Sequence, residues 1–486
     1  LKKIFKLMEL KSRNNMAPFL KEYKPGKHNA VEWIIIGLIA VLLFNILQTY
    51  MGVNVWRQDS MYYVSSYDDK LANEGRWINH LFFRYLQQVP ASLAILLSYF
   101  SVIYFCFQVA FRVSGNTYMA LAFGMLCGLI PVLPVQLEWP ETLLIGFLLL
   151  AASPYFASTM PRFVFFPVMA VLFFGTFSAF FFVMPLLFLK NISFRKGAEL
   201  IAIWIASFVF AYFFTNLMVW VMTGDTIQIA GWRNPTPARD IDGLLENISR
   251  IAGSANIHFY WAASFLREEI IASLTLIGVV TAFVKKQFPS LLIGIICALA
   301  VYVTVIPVGI YVQSRTLLVV YIAFLAAFLL RDYQTRRSVI ITMAIVFVLS
   351  VRMAAASYES VLWYKTMTNI LVSHLSTAIK HKPEEVDRLF IMVEVPESAQ
   401  VFQRIEKNID LENRFSEAFY HPQYWSPALK SMGYKNLRVC ADLTGWDCNE
   451  AMGIYEQRQA MKSDSGIFIS SRFNNQDLVI MLNPQN

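Results

Sequence analysis

Charge is what this chain has least of. Only 15% of its 486 residues are charged while 57% are hydrophobic, and the mean hydropathy is positive. Apolar runs near 31–51, 91–111, 117–137, 142–158, 163–189, 198–222, 269–284, 287–309, 315–330 and 338–351 hold no Asp, Glu, Lys or Arg in their cores. A soluble domain of this length is excluded, and a polytopic helical membrane bundle is predicted. Sequence motifs are scarce too. There is no P-loop, no GxGxxG after a strand, no HExxH and no GxSxG, which sets aside the soluble chemistries those motifs serve. Nothing points to nucleic acid.

Charge, where present, is arranged. Residues 1–30 carry eight Lys/Arg against Glu9 and Glu22. No small-residue cleavage pattern follows the first apolar run, so this is read as a cytoplasmic basic tail ahead of an anchor rather than a signal peptide. Lys190/Arg195/Lys196, Lys285/Lys286 and Arg331/Arg336/Arg337 should then face the cytoplasm as well. They do so only if residues 142–189 cross three times, at roughly 16 residues per crossing against the ~20 of a full span. Such short helices survive where other helices shield them. Pro154, Pro161, Pro167 and Pro185 break the stretch accordingly. The expectation is about eleven transmembrane helices, N-terminus inside and C-terminus outside, in a bundle over 31–352.

Residues 353–486 differ, with 13 Lys/Arg against 16 Asp/Glu. Short strands are predicted at 389–395, 437–442, 467–470 and 478–482, with helices at 398–407 and 450–461 between them. This is a small C-terminal α/β domain, placed in the periplasm and tethered by a helix-like segment, 358–380. Of five cysteines, Cys106, Cys127 and Cys297 lie in spans, where a thiol is a small hydrophobe. Cys440 and Cys448 are spaced for a short disulfide loop in an oxidising compartment; two unrelated reduced cysteines are the alternative. No CxxC or matching histidines make a zinc site.

The outward loops, 52–90, 136–141, 223–268 and 310–315, hold the remaining polar chemistry. The first reads Trp56-Arg57-Gln58-Asp59-Ser60-Met61-Tyr62-Tyr63, then Tyr67-Asp68-Asp69-Lys70 and Glu74-Gly75-Arg76-Trp77. The second is Glu138-Trp139-Pro140-Glu141. Loop 223–268 carries Trp232-Arg233 and, from Asp240, an amphipathic helix suited to lying flat on the membrane. Asp240-Ile241-Asp242 has the DxD form of nucleotide-sugar transferases, but on a face without nucleotide-sugars it reads better as a solvated helix start. Arg315 at the outer end of a span either snorkels or grips a lipid phosphate in two-point geometry. An enzyme without nucleotides on this side must take its activated group from a lipid carrier. Sugar transfer then needs a base for the acceptor hydroxyl and cations for the departing phosphate.

On the first loop (Asp59, Tyr62, Tyr63, then Gly75-Arg76-Trp77), the acidic turn at Glu138 and Glu141, and Arg315, the chain resembles the Gtr-type O-antigen glucosyltransferases of phage and bacterial serotype-conversion operons, of the GT-C class. The plan of basic tail, about eleven spans and periplasmic C-terminal domain covers most of the chain. The family often has an acidic pair where this chain has Gln58-Asp59; here the pair is Asp68-Asp69. The resemblance implies an inverting transfer of glucose from undecaprenyl phosphate-glucose to lipid-linked O-antigen at the periplasmic face of the bacterial inner membrane. The base is Asp59, Asp68 or Asp69, with Glu138 as helper and a helix-capping Asp as the bland alternative. Arg57, Tyr62, Arg76, Trp77, Glu141, Arg233 and Arg315 are the substrate-binding candidates. No cofactor is called for, and no residue set indicates a divalent metal. A donor-making glycosyltransferase and a small flippase are the implied functional partners, beside the membrane lipids. Tyr420, Tyr424, Trp425 and Trp446 either stack on acceptor sugars or pack in the domain core. The rivals are another polyprenyl-lipid-dependent transferase (an O-antigen polymerase or lipid A glycosyltransferase) and a flippase. Charge-free span cores and the lack of a visible repeat speak against the last.

Overall fold

The computed structural model describes residues 30–53, 67–229, 233–331, 333, 335–409, 424–443, 448–460 and 466–483. Five helices in it are long and apolar enough to cross a membrane: α1 (Ala30–Met51), α4 (Ala91–Ser114), α7 (Pro140–Thr159), α9 (Phe194–Thr223) and α14 (Arg336–Ala378). This is a multi-pass helical membrane protein. Two short helices at one end of it, α2 (Asp68–Glu74) and α3 (Trp77–Leu86), precede α4, and further helices complete the fold. These are α5 (Thr117–Gly128), α6 (Val132–Gln136), α8 (Arg162–Phe174), a 3-10 segment (Ser178–Phe188), then α10 (Ile241–Leu266), α11 (Glu268–Val284), α12 (Phe288–Val303) and α13 (Leu318–Leu329).

Helix α9 shows why these sequences make spans. Leu200, Trp204, Ser207, Ala211, Thr215 and Val219 form its buried stripe, with small residues that admit close packing. Ile205, Val209, Phe210, Phe213 and Val221 are exposed on the other side. In water that face would be an aggregation surface; against lipid it is the natural solvent contact.

Between 140 and 189 the chain reverses twice, giving α7, α8 and the 3-10 segment. The last is almost entirely buried, its Phe180 ring against Phe147, Phe173 and Phe177. A tighter helix forfeits regular α-helical bonds, and the Trp204 indole supplies one donor to the Phe181 carbonyl at 3.2 Å. Residues 117–137 differ from the single run expected: α5 stops at Gly128, and Pro131 and Pro134 frame the separate turn of α6. Glu32, the charged residue in the first turn of α1, is buried and accepts two bonds from Arg336 at the start of α14. The two helices therefore begin at the same end of the bundle.

Helix α14 runs 43 residues without a break through 352 and 353, about 65 Å at 1.5 Å per residue. A hydrocarbon core of ~30 Å accounts for less than half of that. The far part, including Trp363, Tyr364, Met367, Leu371 and Leu375, packs on a four-stranded sheet of order β2-β1-β4-β3. Its strands are β1 (Leu389–Val393), β2 (Leu437–Ala441), β3 (Phe468–Phe473) and β4 (Asp477–Leu482). Strand β1 lies parallel to β2 and β4, and β3 returns antiparallel through Asn474 and Asn475 in the left-handed region. Period-two alternation sorts the side chains. Leu389, Ile391, Leu478 and Ile480 face α14 with α15 (Val395–Asn408) and α16 (Trp425–Ser431); Phe390, Met392, Val479 and Met481 face α17 (Asn449–Glu456). Cys440 and Cys448 are joined in a disulfide on the α17 side.

Candidate functional site

Polar side chains gather at the end of the bundle where α1 finishes. Helix α2 is the short sequence Asp-Asp-Lys-Leu-Ala-Asn-Glu, stopped by Gly75 at φ +68° with its N–H on the Leu71 carbonyl. Only glycine suits this corner: the backbone is left-handed, and a Cβ there would meet Ile227 at 2.7 Å and Thr215 at 2.8 Å. The corner sends the chain into α3, where the Trp77 N–H donates to the Gly75 carbonyl and the next two N–H groups, of Ile78 and Asn79, donate to the Gly175 carbonyl beyond α8. Leu81, Phe82 and Tyr85 of α3 stay exposed while Ile78, Asn79 and Leu86 are buried, the pattern of a helix lying at the membrane edge.

Glu74, whose side chain is 7% exposed, is the centre of the charge cluster. Its carboxylate contacts Lys70 Nζ at 3.1 Å, Arg76 at 2.5 Å and Arg233 at 3.3 Å. Asp68 and Asp69 open the helix that Glu74 closes, and both are exposed; the Asp68 side chain is 74% exposed, with His80 Nδ1 at 3.6 Å. Two carboxylates in the first turn also suit the positive end of the helix dipole.

Asn79 ties the first loop to the second. It is fully buried and donates to the Thr142 carbonyl at 2.8 Å, with the Thr176 carbonyl and Tyr67 Oη at 3.4 Å. Thr142 directly follows Glu141 at the start of α7, so Glu138, Trp139 and Glu141 are held beside α3. Glu138 and Trp139 are buried. Gln136, almost fully buried, finds no partner for either side-chain polar atom among the described residues, and neither does the Trp77 indole N–H, which lies near Phe214. Tyr50 at the end of α1 donates to the Pro134 carbonyl at 2.6 Å, fixing α6 to the same edge.

The loop with Arg233 is pinned on both sides. Gln228 N–H donates to Ala72 of α2 at 2.9 Å, while Thr236 and Ala238 N–H donate to Val308 and Pro307 at 3.0 Å each. Buried Asn247 locks the second contact, donating to the Thr236 and Ile306 carbonyls. A 3-10 turn, Ser314–Leu317, packs against α6; the Arg315 side chain lies outside the described residues. Asp240 is the N-cap of α10, its Oδ1 accepting from Gly243 N–H at 2.8 Å, which gives the DxD triplet a structural role. Ile241, Leu244, Leu245 and Ile248 of α10 are exposed.

Asp59, Arg57, Tyr62 and Trp232 lie outside the described residues, as do Tyr420 and Trp446. Asp68, Asp69, Arg76, Trp77, Glu138, Glu141 and Arg233 fall along one connected set of segments. Tyr424 and Trp425 are buried in the core on the α14 face of the sheet. Comparison with protein-family models, curated proteins and solved structures returns no match to this chain. Its function is argued from the residues themselves.

The residues that sequence reasoning passed over are Glu74, Lys70, Asn79 and Gln136, together with a second cluster around His258. The His258 ring is buried among Trp261, Tyr302 and Tyr311, with Nδ1 3.0 Å from Tyr302 Oη. Burial holds its pKa down, to about 4, against a smaller opposing effect from the Val312 backbone. Among the described residues no group of three or more His, Cys, Asp or Glu is arranged to hold a metal ion.

Proposed function

We propose that this protein is an inverting membrane glycosyltransferase that moves a glucosyl group from undecaprenyl phosphate to a hydroxyl of lipid-linked O-antigen at the periplasmic face, as the resemblance to the Gtr-type O-antigen glucosyltransferases implies. One observation carries the reading: an otherwise apolar bundle gathers Asp68, Asp69, Glu74, Arg76 and Arg233 at one edge, and Asn79 ties that edge to the Glu138–Glu141 turn. Carboxylates and guanidinium groups at a membrane edge are what transfer from a lipid phosphate requires.

A first-loop carboxylate (Asp59, Asp68 or Asp69) takes the proton of the acceptor hydroxyl, whose oxygen attacks the anomeric carbon as its bond to the phosphate oxygen breaks. The polyprenyl phosphate leaves with the electron pair, and cations stabilise the charge that gathers on it. Arg76, Arg233 and Arg315 serve the phosphate, since a guanidinium presents two parallel donors. Glu74 holds Lys70, Arg76 and Arg233 in place. Trp77 and Tyr62 are offered as faces for a sugar ring.

Counting α5, α8, the 3-10 segment, α11, α12 and α13 with the five long helices gives eleven spans. That count, with the basic clusters inside, supports a cytoplasmic N-terminus and a periplasmic α/β domain in the inner membrane. The DxD triplet's use as a helix cap supports a lipid-linked donor over a nucleotide-sugar. Purified protein incubated with radiolabelled polyprenyl-phosphate glucose and candidate acceptors tests the reading. Label passing to a lipid-linked O-antigen supports it. Chain extension by whole repeat units would show a polymerase, label on lipid A a lipid A glycosyltransferase, and translocation without transfer a flippase.

A further inference from the structure

At the opposite end of α9, a half-open cleft of about 650 Å3 lies between the turn before α9 and the turn joining α11 to α12; Asn191, Ser193, Lys285, Lys286 and Gln287 are among its walls. We infer that this cleft is a headgroup site for an anionic phospholipid. It stands apart from the transferase reading, because the whole of α9 separates it from Glu74.

Charge is the first observation. Two lysines line the cleft, and Lys190, Arg195 and Lys196 lie exposed in the adjoining segment, with Glu199 the carboxylate of that stretch. Lys285 lies over the Tyr333 ring at 5.2 Å. Lys286 is exposed on a left-handed corner, φ 55°, and Asn191 holds a matching corner, φ 50°, on the opposite wall. Two helices begin at the cleft, α9 at its N-cap Ser193 and α12 after Gln287, and one, α11, ends there at Val284, so the two positive dipole ends outnumber the one negative end beside the lysines.

Depth and rim decide between a lipid and a soluble anion. Helix α9 has 30 residues, about 45 Å at 1.5 Å per residue, so its ends reach past a ~30 Å hydrocarbon core to headgroup level. Immediately beside the lysines, Phe194 is 60% exposed, Phe283 63% and Val284 77%. The Phe194 and Phe283 rings both contact Phe288, at 6.0 and 5.1 Å. A soluble phosphate has no use for an apolar rim, whereas a phospholipid lays its acyl chains along one while its phosphate enters the polar cleft.

The test is native mass spectrometry of the full chain in detergent, titrated with phosphatidylglycerol or with phosphatidylcholine of the same acyl chains. Phosphatidylglycerol should be retained preferentially. Lys285→Gln/Lys286→Gln should lower its apparent affinity by about thirtyfold, a factor of about five per lysine near the surface, and leave phosphatidylcholine unchanged. Lys286→Glu alone, at an exposed position, should give a similar loss without touching the Tyr333 contact. Equal retention of the two lipids, or unchanged phosphatidylglycerol binding in both variants, would overturn the site. Displacement of bound phosphatidylglycerol by millimolar inorganic phosphate would overturn its assignment to a lipid.

Discussion

Gly75 offers the sharpest test of how the polar edge is built. Replacing it with alanine puts an L side chain at φ +68°, which costs about 1 kcal/mol. The new methyl would also lie 2.7 Å from Ile227 and 2.8 Å from Thr215, and overpacking of that kind adds about 1–3 kcal/mol. Gly115, the C-cap of α4, supplies the control. Its φ is +66°, and a Cβ there meets nothing within 4 Å. Gly115→Ala should therefore cost only the backbone contribution, about 1 kcal/mol, and Gly75→Ala about 2–4 kcal/mol. The excess falls where α2 meets the 227 loop, so Gly75→Ala should displace Glu74 and Arg76 and abolish glucosyl transfer, while Gly115→Ala retains it. Thermal unfolding of both variants in detergent, together with the transfer assay, measures the difference. Equal melting shifts, or full transfer by Gly75→Ala, would show that the corner does not hold the cluster and would refute the reasoning.

Asp59→Asn, Asp68→Asn and Asp69→Asn each remove a proton acceptor at little change of volume, and one of them should abolish transfer with insertion intact; full activity in all three moves the base to Glu138. Burial keeps His258 neutral, with a pKa of about 4 against an unfolded value of ~6.5. Its contribution to stability is complete above pH ~6.5 and falls away as pH drops toward 4, on the order of 2 kcal/mol by pH 5. Melts of the protein and of His258→Phe at pH 7.5 and 5 should show the variant less sensitive to acid. Thiol labelling of intact cells should find Cys440 and Cys448 unreactive until reductant is added, whereas labelling only after the inner membrane is opened would put the disulfide side in the cytoplasm.

The four strands of the α/β part and two of its helices, α15 and α17, were legible to within a few residues because period-two apolar runs and helical spacing were cleanly separated by turns; the short α16 was not anticipated. Helix α14 was not. Arg352, Glu359 and Lys365 mark the chain leaving lipid, and that change of composition reads as the end of one element and the start of a tether. Composition reports the solvent, while backbone bonding simply continues. The site was legible in part. Asp68, Asp69, Arg76 and Trp77 are conspicuous as a polar segment between apolar runs. Glu74 carried a weaker signal, the i,i+4 pair with Lys70, and its contact with Arg233 depends on a loop more than 150 positions away in sequence. Asn79 gave its only hint as a polar residue on the buried side of an amphipathic helix. Its partners Thr142 and Thr176 are backbone carbonyls, which no side-chain pattern reveals.

The unbroken α14 constrains how the two parts of the molecule can cooperate. One end of the rod is pinned by Arg336 to Glu32, and Ser357 midway donates to the Leu129 carbonyl at 2.7 Å, just before α6. The following turns carry the sheet, and Val53, just past α1, shares a hydrophobic cluster with Trp363 and strand β1. The sheet is thus packed at the membrane end that holds Glu74 and the acidic turn, with a helix rather than a flexible linker between them. A swinging domain would lose that packing each time it moved. Under the transferase reading, an acceptor glycan would meet the bundle edge and the sheet as one surface of fixed geometry. Selectivity for the acceptor would then reside in side chains that face the edge from the sheet, not in Trp425, which is spent on the core.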